Sequence, residues 1–266
     1  MIVNERKIET RGRKPKQTMS QPFDINSVKL FRGSELQFSE LLFRPMKTKT
    51  ELDVILSTEG GLMPGVNLMI AGGPGSGKTT LVLDALSKFT QQGFKTLFIS
   101  GEMDEIGHYK YCKRMPSFGC VQTLFLKDYM MNVKEVIEYV FDQGYDVIGV
   151  DSIAEVLEMY RDQNGGTAKQ AEMWFLHLQD KVKKGHNKGN YYTSFINIQQ
   201  MTKSDEFIGS NRLKHMMEAY AAVERSKDGL ERSIHFEKNR DCDKDFKVYF
   251  SIYGGGVYYS YELEKE

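Results

Sequence analysis

The chain has 266 residues, 40% of them apolar, and its 36 Lys and Arg are balanced by 36 Asp and Glu. This suits one globular core with an extension, and the zero net charge excludes nucleic-acid binding through a global positive field. Three scattered cysteines, Cys112, Cys120 and Cys242, exclude a disulfide framework and suit a reducing compartment. With no apolar signal core and no apolar run of bilayer length, the expectation is a soluble, cytoplasmic protein with no membrane partner.

Residues 1–25 carry Arg6, Lys7, Arg11, Arg13, Lys14 and Lys16 against Glu5 and Glu9, and read as a basic, solvated tail. Within it, residues 11–16 resemble a minor-groove AT-hook whose Gly-Arg-Pro core is interrupted by Lys14. Residues 26–47 read as a linker or a segment that contacts another subunit, with 35–43 equally readable as a short helix or a strand. The core begins at about residue 48. Strands are expected at 66–71, 95–100, 123–126, 147–151 and 194–200, and helices from Thr80, at 104–115, at 133–143 and at 168–184, the last carrying Trp174 as a core or interface anchor. This alternation predicts an α/β fold with a mainly parallel sheet flanked by helices. Segments 219–224, 233–237, 247–253 and 257–261, separated by turns at 227–229 and 254–256, predict a C-terminal antiparallel β extension.

The strongest local signal is Gly72-Gly73-Pro74-Gly75-Ser76-Gly77-Lys78-Thr79 followed by Thr80, a phosphate-binding loop between a buried strand and a helix. Its glycines let backbone N–H groups turn toward an anion at the helix N-terminus. Lys78 places a charge near the β- and γ-phosphates, and the Thr79 hydroxyl is a ligand for Mg²⁺. These residues imply ATP and Mg²⁺. Asp151 ends an apolar strand and reads as the carboxylate that holds the metal shell, or otherwise as a helix cap. Glu102 follows a strand end, where it suits a base for the attacking water or a helix-start acid. Gln200 ends a strand and reads as a γ-phosphate sensor or a solvent-facing amide. Lys238 and Arg240, two apart at a strand end, read as a finger supplied to a neighbouring subunit or as a charged hairpin end.

From about residue 48 to 261 the chain resembles RecA-type ATPases of the RadA/Sms branch, with DnaB-type helicases and KaiC as more distant relatives. The resemblance rests on several ordered motifs. They are Glu51-Leu52-Asp53, then Gly60-Gly61-Leu62-Met63-Pro64-Gly65, then Ser100-Gly101-Glu102, and Val150-Asp151-Ser152-Ile153. Met201-Thr202-Lys203 and residues 208–216 follow, and Lys238-Asn239-Arg240 closes the series. The resemblance implies Glu102 as the catalytic carboxylate and Lys238-Asn239-Arg240 as an intersubunit element. The latter is followed here by Asp241-Cys242 where the family has Phe-Gly. No cysteines precede Cys112, so the branch's N-terminal zinc finger is not expected, and neither is its C-terminal protease-like domain.

The family architecture implies a homo-oligomeric ring, a hexamer, with ATP at each interface and single-stranded DNA at the central loops. Candidate DNA contacts are residues 161–169 and the loop bearing Lys203, Arg212 and Lys214, both also readable as solvated connections. The implied function is an Mg-ATP-hydrolysing motor on DNA, a helicase among the possibilities, in replication, recombination or repair. The alternatives are a KaiC-like nucleotide switch that controls assembly with a protein partner, and a strand-exchange filament.

Overall fold

The computed structural model describes residues 24–201, 211–227, 229, 231–242 and 246–263. The chain divides into two compact units, 1–38 and 39–266. In the first, the described residues form two short 3-10 turns, Ile25–Ser27 and Gly33–Glu35, with Leu30 and Phe31 exposed. The expected helix or strand over 35–43 is not formed. A third 3-10 turn, Glu40–Phe43, lies there instead, since nine residues are too few to repay helix nucleation without a packed face.

The second unit is an α/β sandwich. Among its described residues, nine strands make one sheet in the order β3-β2-β4-β5-β1-β6-β7-β8-β9. The strands are β1 (Asn67–Gly72), β2 (Thr96–Ser100), β3 (Gln122–Phe125), β4 (Val147–Asp151), β5 (Ser194–Gln200), β6 (Ala219–Arg225), β7 (Arg232–Asn239), β8 (Phe246–Tyr253) and β9 (Gly256–Leu263). The first six pair in parallel, β6 along β1, and β7 to β9 continue antiparallel. Expected and observed strands therefore agree, with β6 as the seam where the parallel part gives way to the extension.

The central strands read as continuous apolar runs because helices cover both faces. The period of two divides them cleanly. Leu68 and Ile70 of β1 join Phe98, Ile196 and Ile198 in one core with α2 (Lys78–Gln91), while Met69 and Ala71 join Leu97, Ile99 and Phe195 in a second. That second core is closed by α4 (Val133–Phe141), α5 (Ile153–Asn164) and α6 (Ala168–Lys183). Trp174 fastens these helices to one another. Its ring stacks on Tyr160 at 4.0 Å and its indole N–H donates to Glu138 at 3.0 Å. The remaining helices are α1 (Asp53–Leu56), α3 (Glu105–Arg114) and α7 (Asn211–Met216). No helix of the described residues is long and apolar enough to cross a membrane.

Three helices went unread in the sequence, the short α1 and α7 and the longer α5. Helix α5 buries only the narrow stripe Ile153, Val156 and Met159 among charged residues, and packing on α4 and α6 completes it. The consequence is a correction at residues 161–169. They are not one continuous loop but the last turn of α5, a Gly165 stop whose N–H donates to the Arg161 carbonyl, a Thr167 cap and the first turn of α6.

The lead-in motifs are structural. Asp53 accepts from the N–H groups of Thr48 and Lys49, both at 2.8 Å, and so holds the turn that precedes α1. Gly61 sits at φ +128°, and a Cβ there would lie 2.5 Å from the Met46 carbonyl oxygen, in the bridge that Met46 makes with Leu62. Gly61→Ala should therefore destabilise the fold by about 1–3 kcal/mol. Gly60→Ala, at φ +71° with nothing within 4 Å of the added Cβ, should cost about 1 kcal/mol or less. Urea unfolding midpoints of the two variants check the order.

Candidate active site

The site forms where the parallel strands end. Buried β1 stops at Gly72, and the chain turns through Gly75 (φ +73°) and Gly77 (φ +102°) into α2. Those left-handed positions suit glycine and aim successive amides at one point above the helix N-terminus. Strands β5, β4 and β2 lie in turn to one side of β1, so Gln200, Asp151 and Glu102 reach the same edge from three strand ends. Open α/β sheets place ligand sites at such an edge. The result is a cavity of about 470 Å³ lined by the loop together with Lys78, Thr79, Glu102, Asp151, Gln200 and Arg232.

Two hydrogen bonds organise the polar side chains. The Thr79 hydroxyl donates to Asp151 Oδ2 at 2.6 Å, and Gln200 Nε2 donates to Glu102 Oε1 at 2.7 Å. Lys78 folds back on the loop, its Nζ donating to the carbonyls of Gly72 (2.8 Å) and Gly73 (2.9 Å). Burial lowers the Lys78 pKa, opposed by the nearby charges of Asp151 and Glu102. Burial likewise pushes Asp151 up to about 6, and the Thr79 hydrogen bond and Lys78 only partly offset it. Asp151 is the last residue of β4 and Ser152 takes the cap position of α5, so the helix-cap alternative for Asp151 does not hold.

The residues fit an anionic ligand and a hard cation. Ser76 Oγ and Arg232 Nε are buried with no hydrogen-bond partner among the described residues, and both belong to the loop or the cavity wall. Thr79 and Asp151 bring two oxygens to one point, the donor set that Mg²⁺ takes beside phosphate oxygens.

Other expected site residues lie elsewhere in the chain. Lys238 is six residues along β7 from Arg232, about 20 Å at strand rise, so Lys238 and Arg240 sit at the opposite edge of the sheet from the cavity of their own chain. Lys238 Nζ donates to the carbonyls of His215 and Met217, and Asn239 Nδ2 to those of Ile55 and Leu56, whereas the Arg240 side chain is exposed. Lys203 lies outside the described residues. Arg212 is exposed on α7, but Lys214 is engaged, pairing with Glu237 at 2.7 Å and lying 3.9 Å from the centre of the Tyr220 ring. The cavity wall also includes Tyr111, Arg114, Met115 and Ile252 as well as Arg232, none of which the sequence singled out. They come from α3, the turn after it and two antiparallel strands, and nothing in their spacing marks them as neighbours.

No family model matches the chain. It is 26% identical over 210 residues to the DNA repair protein RadA of Mycobacterium tuberculosis, covering 78% of this chain and 41% of that protein. It is 29% identical over 190 residues to RadA of Campylobacter jejuni (71% and 40%), and 27% identical over 227 residues to RadA of Chlamydia muridarum (82% and 48%). The chain thus spans less than half the length of these relatives. Among solved structures, a KaiC-like protein from Pyrococcus horikoshii superposes with a TM-score of 0.61 at 14% identity, covering 82% of this chain and 99% of that one. The RadB recombinase does so with a TM-score of 0.58 at 20% identity, covering 80% and 98%. The chain is RadA-like in sequence and RecA-like in fold.

The raised pKa of Asp151 has a stability consequence. Its folded value, about 6, exceeds the ordinary 3.8, so protonation favours the fold. That contribution is full below about 4 and lost as pH rises through about 6. Asp151→Asn should therefore raise the melting temperature of the nucleotide-free protein at pH 7.5, with a gain of up to about 3 kcal/mol, and change it little at pH 4. Paired melts at the two pH values check this.

Proposed function

We propose that this chain hydrolyses Mg-ATP as a RecA-type motor acting on DNA, binding and moving along single strands in recombination, repair or replication, within a ring of like subunits. The observation that carries the reading is the convergence of Lys78, Thr79–Asp151 and Glu102–Gln200 on one cavity at the carboxyl edge of the sheet. The RadA relatives, named as DNA repair proteins, supply the DNA half of the proposal.

Lys78 would exchange its two loop carbonyls for the β- and γ-phosphate oxygens, and Thr79 with Asp151 would hold Mg²⁺. The bound ion supplies charge neutralisation at those phosphates. Glu102 would orient and deprotonate the attacking water. Its bond to Gln200 ties the catalytic carboxylate to the end of β5, and so to the segment that follows. A γ-phosphate competing for the Gln200 amide would free Glu102 and report nucleotide state along the chain. Arg240, exposed and remote from its own cavity, suits charge stabilisation at a neighbour's γ-phosphate, which requires head-to-tail packing. A hexameric ring meets that requirement.

A nucleotide switch for a protein partner is the second reading. It is favoured by Lys214, a candidate DNA contact already committed to Glu237 and Tyr220. ATP turnover measured with and without single-stranded DNA at low salt, beside a mass measurement in ATP, separates the two. The motor requires stimulation by DNA and a multimer, whereas turnover indifferent to DNA sinks it. Open filaments by electron microscopy would point to strand exchange.

At the site, Glu102→Gln should retain ATP binding and lose about 100-fold or more in kcat, while Lys78→Ala should lose tight binding. Arg240→Ala should fold and bind ATP but turn over poorly. Mixing it with Lys78→Ala subunits should restore part of the activity, because a mixed interface joins an intact loop to an intact Arg240. Titration of the mixture by ATPase assay checks the assignment, and no recovery at any ratio would place Arg240 outside the reaction.

A further inference from the structure

The cavity wall holds two cations that the proposed chemistry does not use, Arg114, which lies over the Tyr111 ring, and Arg232. Arg232 opens β7 and lies directly opposite Arg225 of β6, two like charges in an antiparallel register pair, an arrangement that opposes pairing. Arg225 is drawn aside by the Gly229 carbonyl, which accepts from its Nε at 3.1 Å. Neither arginine has a carboxylate partner among the described residues. Arg232 has its Nε buried with no acceptor among the described residues. Leaving a guanidinium N–H buried and unmatched is costly in a finished site, and it is expected where a ligand completes the site.

The position of Arg232 identifies the part of the ligand. A Cβ built on Gly77 would lie 3.0 Å from Arg232 Cδ and 3.2 Å from its Nε, so the stem of Arg232 runs along the last glycine of the loop, at the start of α2. In the sheet, β2, β4 and β5, which carry Glu102, Asp151 and Gln200, lie on one side of β1, while β6 and β7 lie on the other. Arg232 therefore faces the loop from the side opposite Glu102, the carboxylate proposed to activate water at the γ-phosphate.

We propose that Arg232 is a phosphate ligand supplied in cis, reaching the α- and β-phosphates of the nucleotide. This rests on the ATP-site reading above and adds a division of labour to it. Ground-state binding of the diphosphate portion is completed within one subunit by Lys78 and Arg232, and the γ-phosphate is left to the arginine of the neighbour. Nucleotide would then be held by a lone subunit, and assembly would be needed only for turnover. Relief of the Arg225–Arg232 repulsion by the bound anion also couples nucleotide occupancy to the β6–β7 hairpin.

The test measures dissociation constants of Mg-ATP, Mg-ADP and inorganic tripolyphosphate by calorimetry for the wild type, Arg232→Ala, Arg232→Gln and Arg232→Lys. Expected are losses of about 10- to 100-fold for all three ligands in the Ala and Gln variants and partial recovery with Lys, which restores the charge without the fork. In the Ala and Gln variants the ligand-free melting temperature should not fall, since a like-charge pair is removed. A loss confined to ATP would make Arg232 a γ-phosphate group and overturn the proposal. Unchanged tripolyphosphate binding would move the contact to the base or ribose, and unchanged binding of all three ligands would make the residue structural. Wild-type protein that binds none of the three would instead overturn the ATP-site reading.

Discussion

The hydrogen bond from Thr79 to Asp151 joins the first turn of α2 to the end of β4, two strands away from the loop's own strand. It requires a carboxylate to be buried at the carboxyl edge of the sheet, and the rest of the site follows from that requirement. The cost of burial appears in the pKa of Asp151, raised to about 6, and in the opposite shift of Lys78. The two charges are met by a hydroxyl and by two loop carbonyls. A site whose buried charges are electrostatically uncomfortable suits a ligand that brings both signs of charge.

That discomfort is tolerated because the scaffold around it is stiff. Each central strand contributes alternate residues to two separate cores, so β1 is clamped between α2 on one face and α4 to α6 on the other. The C-terminal strands add a further tie. Asp84 of α2 accepts from the Tyr259 hydroxyl of β9 and pairs with Lys88, both at 2.5 Å, which links the helix that starts at the phosphate loop to the far edge of the sheet. The antiparallel extension thereby supports the site as well as lining it.

Strand β7 runs from the cavity to the opposite edge of the sheet. At its start β7 presents Arg232 to the cavity of its own chain, and at its end it presents Arg240 to solvent. Lys238 and Asn239 between them are anchored to carbonyls of the α7 end and of α1. Of the three residues in that motif, two hold the strand end in place and the third is exposed.

The sequence by itself determined the α/β class, the strands of the sheet, the phosphate loop and the carboxylates at the strand ends. These signals are local: an apolar run bounded by turns, glycines where the backbone must turn left-handed, an acid at a strand terminus. It did not reveal α5, whose apolar stripe is too narrow to stand out until α4 and α6 pack on it, and residues 161–169 were misread as a loop for that reason. Only the tertiary structure decided that Glu102 is bonded to Gln200, that Lys214 is committed to Glu237, and that Arg232, Tyr111 and Ile252 share a cavity with Lys78. Those relations depend on tertiary packing, which sets residues such as Glu102 and Gln200, 98 positions apart, side by side, and no spacing along the chain encodes it.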